Sequence, residues 1–286
     1  MSKVGIVTDS TNCLPPELIE EYGIRVVPVG IIINGKPYRD QVDITPAEFW
    51  SIFKDLKEPP STSAANPQDF ADTFTELGKV TNNIVCILLP KALSATHESA
   101  VQAKKIVTEE NPRLKIEIID SKTAAGALGF IVLETARAAK AGKSLAKVIE
   151  VARNMIPRVK FVAALDTLKY LMKTGRAPKV AGFIGNMMQV KPIIGIVSGT
   201  GTVDALGRAR GKQKCLLRLV ATAKKHLDIK KPLHLMVHYS DNPEEADRLR
   251  EIITAELNCV EVYTTAYTPV MSCAAGPQVA LSFYSD

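Results

Sequence analysis

Leu88-Leu89-Pro90-Lys91-Ala92-Leu93-Ser94-Ala95-Thr96-His97-Glu98-Ser99-Ala100 joins two elements of opposite character. Before it, Ile84-Val85-Cys86-Ile87-Leu88-Leu89 is aliphatic and rich in β-branched residues, the composition of a strand buried on both faces. Pro90, which has no backbone N–H, ends it. After it, Ser94-Ala95-Thr96-His97-Glu98 opens an amphipathic helix, because Ala100, Val101, Ala103 and Ile106 recur at helical spacing. A strand, a hydroxyl-bearing loop and a helix N-terminus leave unpaired N–H groups and the positive end of a dipole facing one crevice, which suits an anion. The same residues also fit a purely structural role, since Ser94 or Thr96 makes a good N-cap without any ligand.

Working outward, two more strands end in the same way. Val4 to Thr8 is a short apolar strand followed by the turn Asp9-Ser10-Thr11-Asn12, and Leu114 to Ile119 is followed by Asp120-Ser121 and a long helix from Ala124 to Ala141. Strands alternating with helices indicate an α/β fold with a parallel sheet, and ligands of such sheets bind in the crevice beyond the strands' carboxyl ends. Three such ends carrying Ser or Asp-Ser favour a binding site over capping alone. Asp9 and Asp120 are expected to brace their turns by accepting from the following N–H groups.

Further elements follow from local signals. Pro15-Pro16 starts a helix that closes at Gly23, and Ile24 to Ile33 reads as one strand turned by Asn34-Gly35. Thr45-Pro46-Ala47-Glu48 is a capping box, while Glu58 to Ala65 is too rich in Pro and Ser to be regular. A second unit begins near Val159, so the expected domains are 1–158 and 159–286. In it, Phe161 to Leu165 is a strand and Thr167 to Lys173 a helix. Val180 to Met188 reads either as a buried core helix or as a mobile, membrane-touching lid flanked by Lys173, Arg176, Lys179 and Lys191. A hairpin turns round Gly199-Thr200-Gly201, and Gly207 to Lys212 is a basic turn. Arg176, Arg208, Arg210 and Lys212 are expected in turns, either as a solvated basic surface or as one that meets an acidic partner. Tyr267 to Pro277 reads as a loop of small residues before a last strand, Val279 to Tyr284.

Composition removes several function classes. The chain has 286 residues, 46% hydrophobic and 23% charged, which is an ordinary globular balance. Five scattered cysteines with no C-x-x-C pair read as thiols of a reducing compartment rather than a zinc site. With Met-Ser-Lys running straight into the first strand there is no room for a signal peptide, and the expected location is the cytoplasm. No apolar run approaches the ~20 residues that span a bilayer. The net charge of +6 is diffuse and aromatics are few, so nucleic acid is not an expected partner. G-x-S-x-G, H-E-x-x-H and G-x-G-x-x-G motifs are missing, and His234 and His238 lie about 13 Å apart if on one strand, too far to share a metal. No metal, cofactor or catalytic residue is expected.

Thr8-Asp9-Ser10 with Leu14-Pro15, Ser61-Thr62-Ser63, Leu93-Ser94-Ala95-Thr96 with Ser99-Ala100, Asp120-Ser121, Leu171 to Arg176, Lys191-Pro192-Ile193-Ile194 and Arg210-Gly211-Lys212 resemble, in order and spacing, the DegV family. Four positions depart from its usual pattern, with Ala95 in place of Gly and, in the terminal loop, Ala274, Ala275 and Gln278 in place of His, Thr and Gly. The resemblance implies an N-terminal α/β domain with a mainly parallel sheet, a C-terminal α/β domain with a mixed sheet, and a buried long-chain fatty acid. Its FakB-type members are fatty-acid-binding subunits that present the acyl carboxylate to a separate kinase subunit. Carried onto this sequence, the resemblance implies Thr62, Ser94 and the backbone at Ala95 as carboxylate ligands. Asp9, Ser10, Ser63, Asp120, Ser121 and Ala274 would support them. The expected function is therefore a lipid-binding protein, which would also touch a membrane surface in passing. The rival expectation is an enzyme acting on a small phosphorylated or carbonyl substrate through Asp9, Asp120 or His97.

Overall fold

The computed structural model describes residues 3–183 and 190–286. The first half runs β1 (Val4–Asp9), α1 (Pro16–Tyr22), β2 (Arg25–Val27), β3 (Gly30–Ile33), β4 (Lys36–Arg39), α2 (Pro46–Phe53), β5 (Ser61–Ser63) and α3 (Pro67–Gly78). It continues through β6 (Asn83–Leu88), α4 (Thr96–Glu110), β7 (Lys115–Asp120), α5 (Ala125–Lys140) and α6 (Leu145–Met155). β2-β1-β6-β7 form a parallel sheet in that order, so the ends at Asp9, Leu88 and Asp120 lie side by side. The parallel sheet expected from the alternation of strands and helices is present, and the hydroxyl-bearing turns line one edge of it.

The expected single strand Ile24 to Ile33 is two strands in different sheets. Pro28 cannot donate to a ladder, so the chain leaves the parallel sheet after Val27 and β3 enters a small antiparallel sheet ordered β4-β3-β5. Asn34 and Gly35 both have positive φ (50° and 78°), as the tight β3–β4 turn requires. Ser61 to Ser63, expected to be irregular, is instead β5, with Thr62 opposite Ile31 and Ser63 opposite Gly30. Thr45 and Glu48 form the expected capping box at the start of α2.

The second half comprises β8 (Lys160–Leu165), α7 (Lys169–Thr174), β9 (Val190–Ile196), β10 (Val203–Arg210) and α8 (Lys212–Lys224). Then come β11 (Leu233–Tyr239), α9 (Pro243–Glu256), β12 (Cys259–Ala266), α10 (Pro269–Ala275) and β13 (Gln278–Ser285). Its mixed sheet is ordered β10-β9-β8-β13-β11-β12, antiparallel except between β11 and β12. Three expectations are corrected here. The basic segment is not a turn: Gly207 to Arg210 belongs to β10, where pairing to Val190–Ile193 extends the hairpin. The terminal loop is helix α10, started by Thr268 in extended conformation with Pro269 in the first helical position. The expected helix Val180 to Met188 begins instead within a 3-10 segment, Pro178–Phe183, and residues 184–189 lie outside the described residues.

The largest core joins the two halves. Val85 and Ile87 of the parallel sheet, Phe161 and Ala163 of β8, and Ala280 and Tyr284 of β13 all belong to one buried cluster with α5 between them. Twelve of the sixteen residues of α5 are buried, so this is an internal helix rather than an amphipathic surface one. Small residues allow it to approach its neighbours: a Cβ on Gly129 would sit 2.5 Å from the carbonyl oxygen of Asn12, in the turn after β1. Gly129→Ala should therefore lower the unfolding free energy by about 1–3 kcal/mol through overpacking against backbone. Denaturant midpoints of the two proteins measure this, and equal midpoints would contradict the packing described.

Candidate functional site

Between the carboxyl-end loops of the parallel sheet and the mixed sheet lies a cavity of about 100 Å³. The N-terminal half contributes Thr11, Val29, Thr62, Ser63, Leu89, Leu93, Ser94 and Ala124. The C-terminal half closes it with Phe161, Ile194, Ile196 and Val203 from its sheet, Leu171 and Arg176 from α7 and the turn after it, and α10 residues from Val270 to Ala275. The walls are mainly apolar, with hydroxyls and one guanidinium at the N-terminal side. A wider groove of about 1150 Å³ runs along the edge strand β2, from Lys3 to Ile6 of the neighbouring strand to Pro28 and Asp40.

The hydroxyls are ordered by a chain of hydrogen bonds. Ala65 N–H, just past β5, donates to Thr96 Oγ1 at 3.2 Å, and Thr96 N–H donates to Ser94 Oγ at 3.2 Å. The two hydroxyl oxygens are 2.9 Å apart. Thr96 is wholly buried, and Ser94 is its one side-chain acceptor among the described residues, so the Thr96 proton points to Ser94. Ser94 then accepts twice, and its own proton is left for the cavity. The residue before α4 is thus not capped as expected: Ala95 holds the cap position with no side-chain bond, while Ser94 satisfies the first helical N–H.

The other acidic and hydroxyl residues brace the loops rather than line the cavity. Asp9 Oδ1 accepts from Thr11 N–H (2.9 Å) and Thr11 Oγ1–H (2.5 Å), and its Oδ2 accepts from Leu89 N–H (2.7 Å), which pins the loop after β6 to the end of β1. Burial pushes the Asp9 carboxyl up, against the pull of these donors. Ser10 Oγ accepts from Val29 N–H at 3.1 Å. Asp120 accepts from Lys122 N–H and pairs with its ammonium at 2.6 Å, and Ser121 bonds within its own turn to Thr123. Of the residues singled out from sequence, the structure brings Thr62, Ser63, Ser94, Ala274 and Arg176 to the cavity. Asp9, Ser10, Ala95, Asp120 and Ser121 stand behind it or beside it. His97, on the first turn of α4, does not line it either, and burial holds its imidazole below the usual value.

Arg176 is not free in a turn. Its Nε donates to Leu93 O (3.3 Å) and its Nη1 to Thr174 O (3.0 Å), which fixes a half-buried guanidinium on the cavity wall next to Ser94. Lys191 is likewise withdrawn from the expected basic flank, being held by Asp166 at 2.5 Å and Glu245 at 3.7 Å. By contrast, Arg208 and Arg210 sit two residues apart on the outer edge of β10, both exposed, with Lys212 close behind at the start of α8.

This geometry has counterparts. The model of the DegV family of uncharacterised proteins matches residues 3–286. The chain belongs to the DegV family. A DegV domain-containing protein of Caldanaerobacter subterraneus is 31% identical over 287 residues, covering 100% of both chains. Another, from Clostridium perfringens, is 31% identical over 255 residues and 89% of each. Among solved structures, a fatty-acid-binding DegV family protein from Thermus thermophilus superposes with a TM-score of 0.89 at 26% identity, over 99% of this chain and 100% of its own. A stearic-acid-binding protein from Eubacterium ventriosum gives 0.90 at 26% identity, over 100% and 98%.

Sequence reasoning missed the α10 wall of this DegV protein and the carboxylate that holds it. Asp40, just past β4 and fully buried, accepts from Val270 N–H (3.1 Å) in the first turn of α10. Burial, with the nearby Asp9 charge adding to it, pushes its carboxyl up to about 7. A folded-state value above the unfolded one, about 3.9, means stability that is present below pH ~4 and lost as pH rises through the folded value. His238, buried and lowered to about 3, contributes the opposite slope, so the informative quantity is a difference. Asp40→Asn keeps an acceptor for Val270 and should gain on the wild type by about a few kcal/mol as pH rises from ~4 to ~7. Denaturation midpoints at several pH values test this, and parallel profiles would contradict it.

Proposed function

We propose that this DegV protein binds a long-chain fatty acid, with the tail in the apolar cavity and the carboxylate at Ser94 and Thr62, and presents that carboxylate to a separate kinase subunit. The observation that carries the reading is the Ser94 hydroxyl, oriented by Thr96 and set with the hydroxyls of Thr62 and Ser63 in a cavity whose walls are otherwise mainly apolar. Arg176 adds a positive charge beside it, so the head group is met by more than neutral hydroxyls. The backbone at Ala95 and the start of α4 add the partial charge of a helix N-terminus. The fatty-acid-binding relatives named above support the same ligand class.

A cavity of about 100 Å³ is well below the ~300 Å³ at which ordinary ligand pockets begin. A long acyl chain therefore needs more room than the cavity offers here. Each CH₂ then buried is worth about 0.8 kcal/mol, which sets affinity largely by chain length. The enzyme reading is less well supported, because Asp9 has both oxygens engaged by N–H and O–H donors, Asp120 is paired with Lys122, and His97 lies off the cavity.

A hydrogen bond to a charged group is worth about 1.5–3 kcal/mol, so Ser94→Ala should weaken binding of a long-chain fatty acid at least about tenfold. Titration of wild type and variant measures this, with equal thermal midpoints showing that the fold is kept; an unchanged Kd would remove Ser94 from the site. For the partner, the exposed pair Arg208 and Arg210 with Lys212 offers a basic face to an acidic surface. Arg210→Glu should abolish acyl phosphate formation in a system reconstituted with a fatty acid kinase subunit and ATP, yet leave fatty-acid binding intact. Full acyl phosphate yield from the variant would refute this surface as the docking face.

A further inference from the structure

Gln278 begins β13 and is the one carboxamide in the cavity wall among the described residues. Strand alternation puts it on the same face as Ala280 and Tyr284, toward α5, while Val279, Leu281 and Phe283 pack into the separate core on the other side of the sheet. Its backbone is satisfied on both sides: the N–H donates to Ser240 Oγ (3.1 Å) and the carbonyl accepts from Ser240 N–H (3.1 Å). Its side-chain amide nitrogen is not. The residue is 7% exposed, and Nε2 is buried without a hydrogen-bond partner among the described residues.

An unmet amide in apolar surroundings is costly, whereas Met or Leu would fill the same volume without that cost. The sheet residues that share this wall, Phe161, Ile194, Ile196 and Val203, supply no side-chain polar group to meet it. The head-group donors Thr62 and Ser94 come from β5 and the loop before α4, whereas Gln278 comes from a central strand of the facing sheet, between β8 and β11. The polar groups of this mainly apolar cavity, Thr62, Ser94 and the neighbouring Arg176 on one side and Gln278 from the facing sheet, fit a ligand with oxygen at two places.

We propose that Gln278 is a specificity-determining residue that pairs with an oxygen carried along the acyl chain, so that the preferred ligand is a hydroxy or oxo fatty acid rather than a plain saturated one. The proposal rests on the fatty-acid reading above and adds the chemical class of the chain. A carboxamide both donates and accepts, so it meets a hydroxyl or a ketone equally well. A site built to hydrogen-bond an oxygen discriminates against the analogue that lacks it, because the site's own group is then left unpaired.

The test is a titration of the full chain with stearate, a mid-chain hydroxystearate and a mid-chain oxostearate, on wild type and Gln278→Met. The oxygenated acids should bind the wild type about tenfold tighter than stearate, and the variant should lose that preference. Equal affinities in the wild type, a comparison that needs no variant, would overturn the proposal. So would an equal loss for all three acids in Gln278→Met, which would assign the amide to the carboxylate. If stearate binds without preference, the fatty-acid reading stands and this proposal alone falls; if none of the acids binds, both fall.

Discussion

The cavity depends on one proton. A buried threonine must place its hydroxyl hydrogen somewhere, and at Thr96 the available acceptor is Ser94 Oγ. Ala65 N–H enforces this from the other side by occupying Thr96 Oγ1 as an acceptor. The result is a directed relay from backbone to Thr96 to Ser94, in which each bond polarises the next. The relay also joins the segment after β5 to the start of α4, so the two hydroxyl loops are fastened by the bonds that orient the donor. A donor already aimed spends nothing on reorientation when an anion arrives, which is the advantage of preorganisation.

Around that relay the charges are arranged for an anion without being left loose. Arg176 is tied to two carbonyls, Leu93 O and Thr174 O, so its side-chain entropy is already given up in the folded protein. Asp9, a buried carboxylate behind the cavity, has both oxygens engaged by three donors. A basic wall and an acidic brace can therefore stand a few residues apart without cancelling each other.

Local signals were read well from the sequence because their causes are local. Asn34-Gly35 turned as its backbone preferences demand, the Thr45–Glu48 box closed, and the three strand ends bearing Ser or Asp met at one edge because parallel βα units leave them there. β5 was missed because nothing in Ser61-Thr62-Ser63 favours a strand; its partner β3 lies some thirty residues earlier and supplies the hydrogen bonds. α10 was legible in part, since Thr268-Pro269 is a helix-start signature, but the small residues that follow resemble a loop until Asp40 and β3 are brought against them. Arg208 and Arg210 read as a turn because two glycines bracket them, whereas pairing along β9 decides otherwise. The far wall of the cavity, from Phe161 to Gln278, could not be read locally, because its residues meet only through the order of strands in the second sheet.

The burial of α5 against both sheets reaches beyond architecture. With Leu128, Phe130 and Ile131 in a core that also contains Phe161, Ala280 and Tyr284, neither half keeps a complete interior without the other. Loss of structure in one half exposes apolar surface in the other, which favours a single cooperative transition over stepwise melting. Any ligand that binds the folded cavity then stabilises the whole chain by mass action, by about 2.7 kcal/mol at a hundredfold excess over its dissociation constant. Occupancy of the cavity is thereby communicated to strands as remote as β12, whose resistance to proteolysis becomes a report on a site it does not touch.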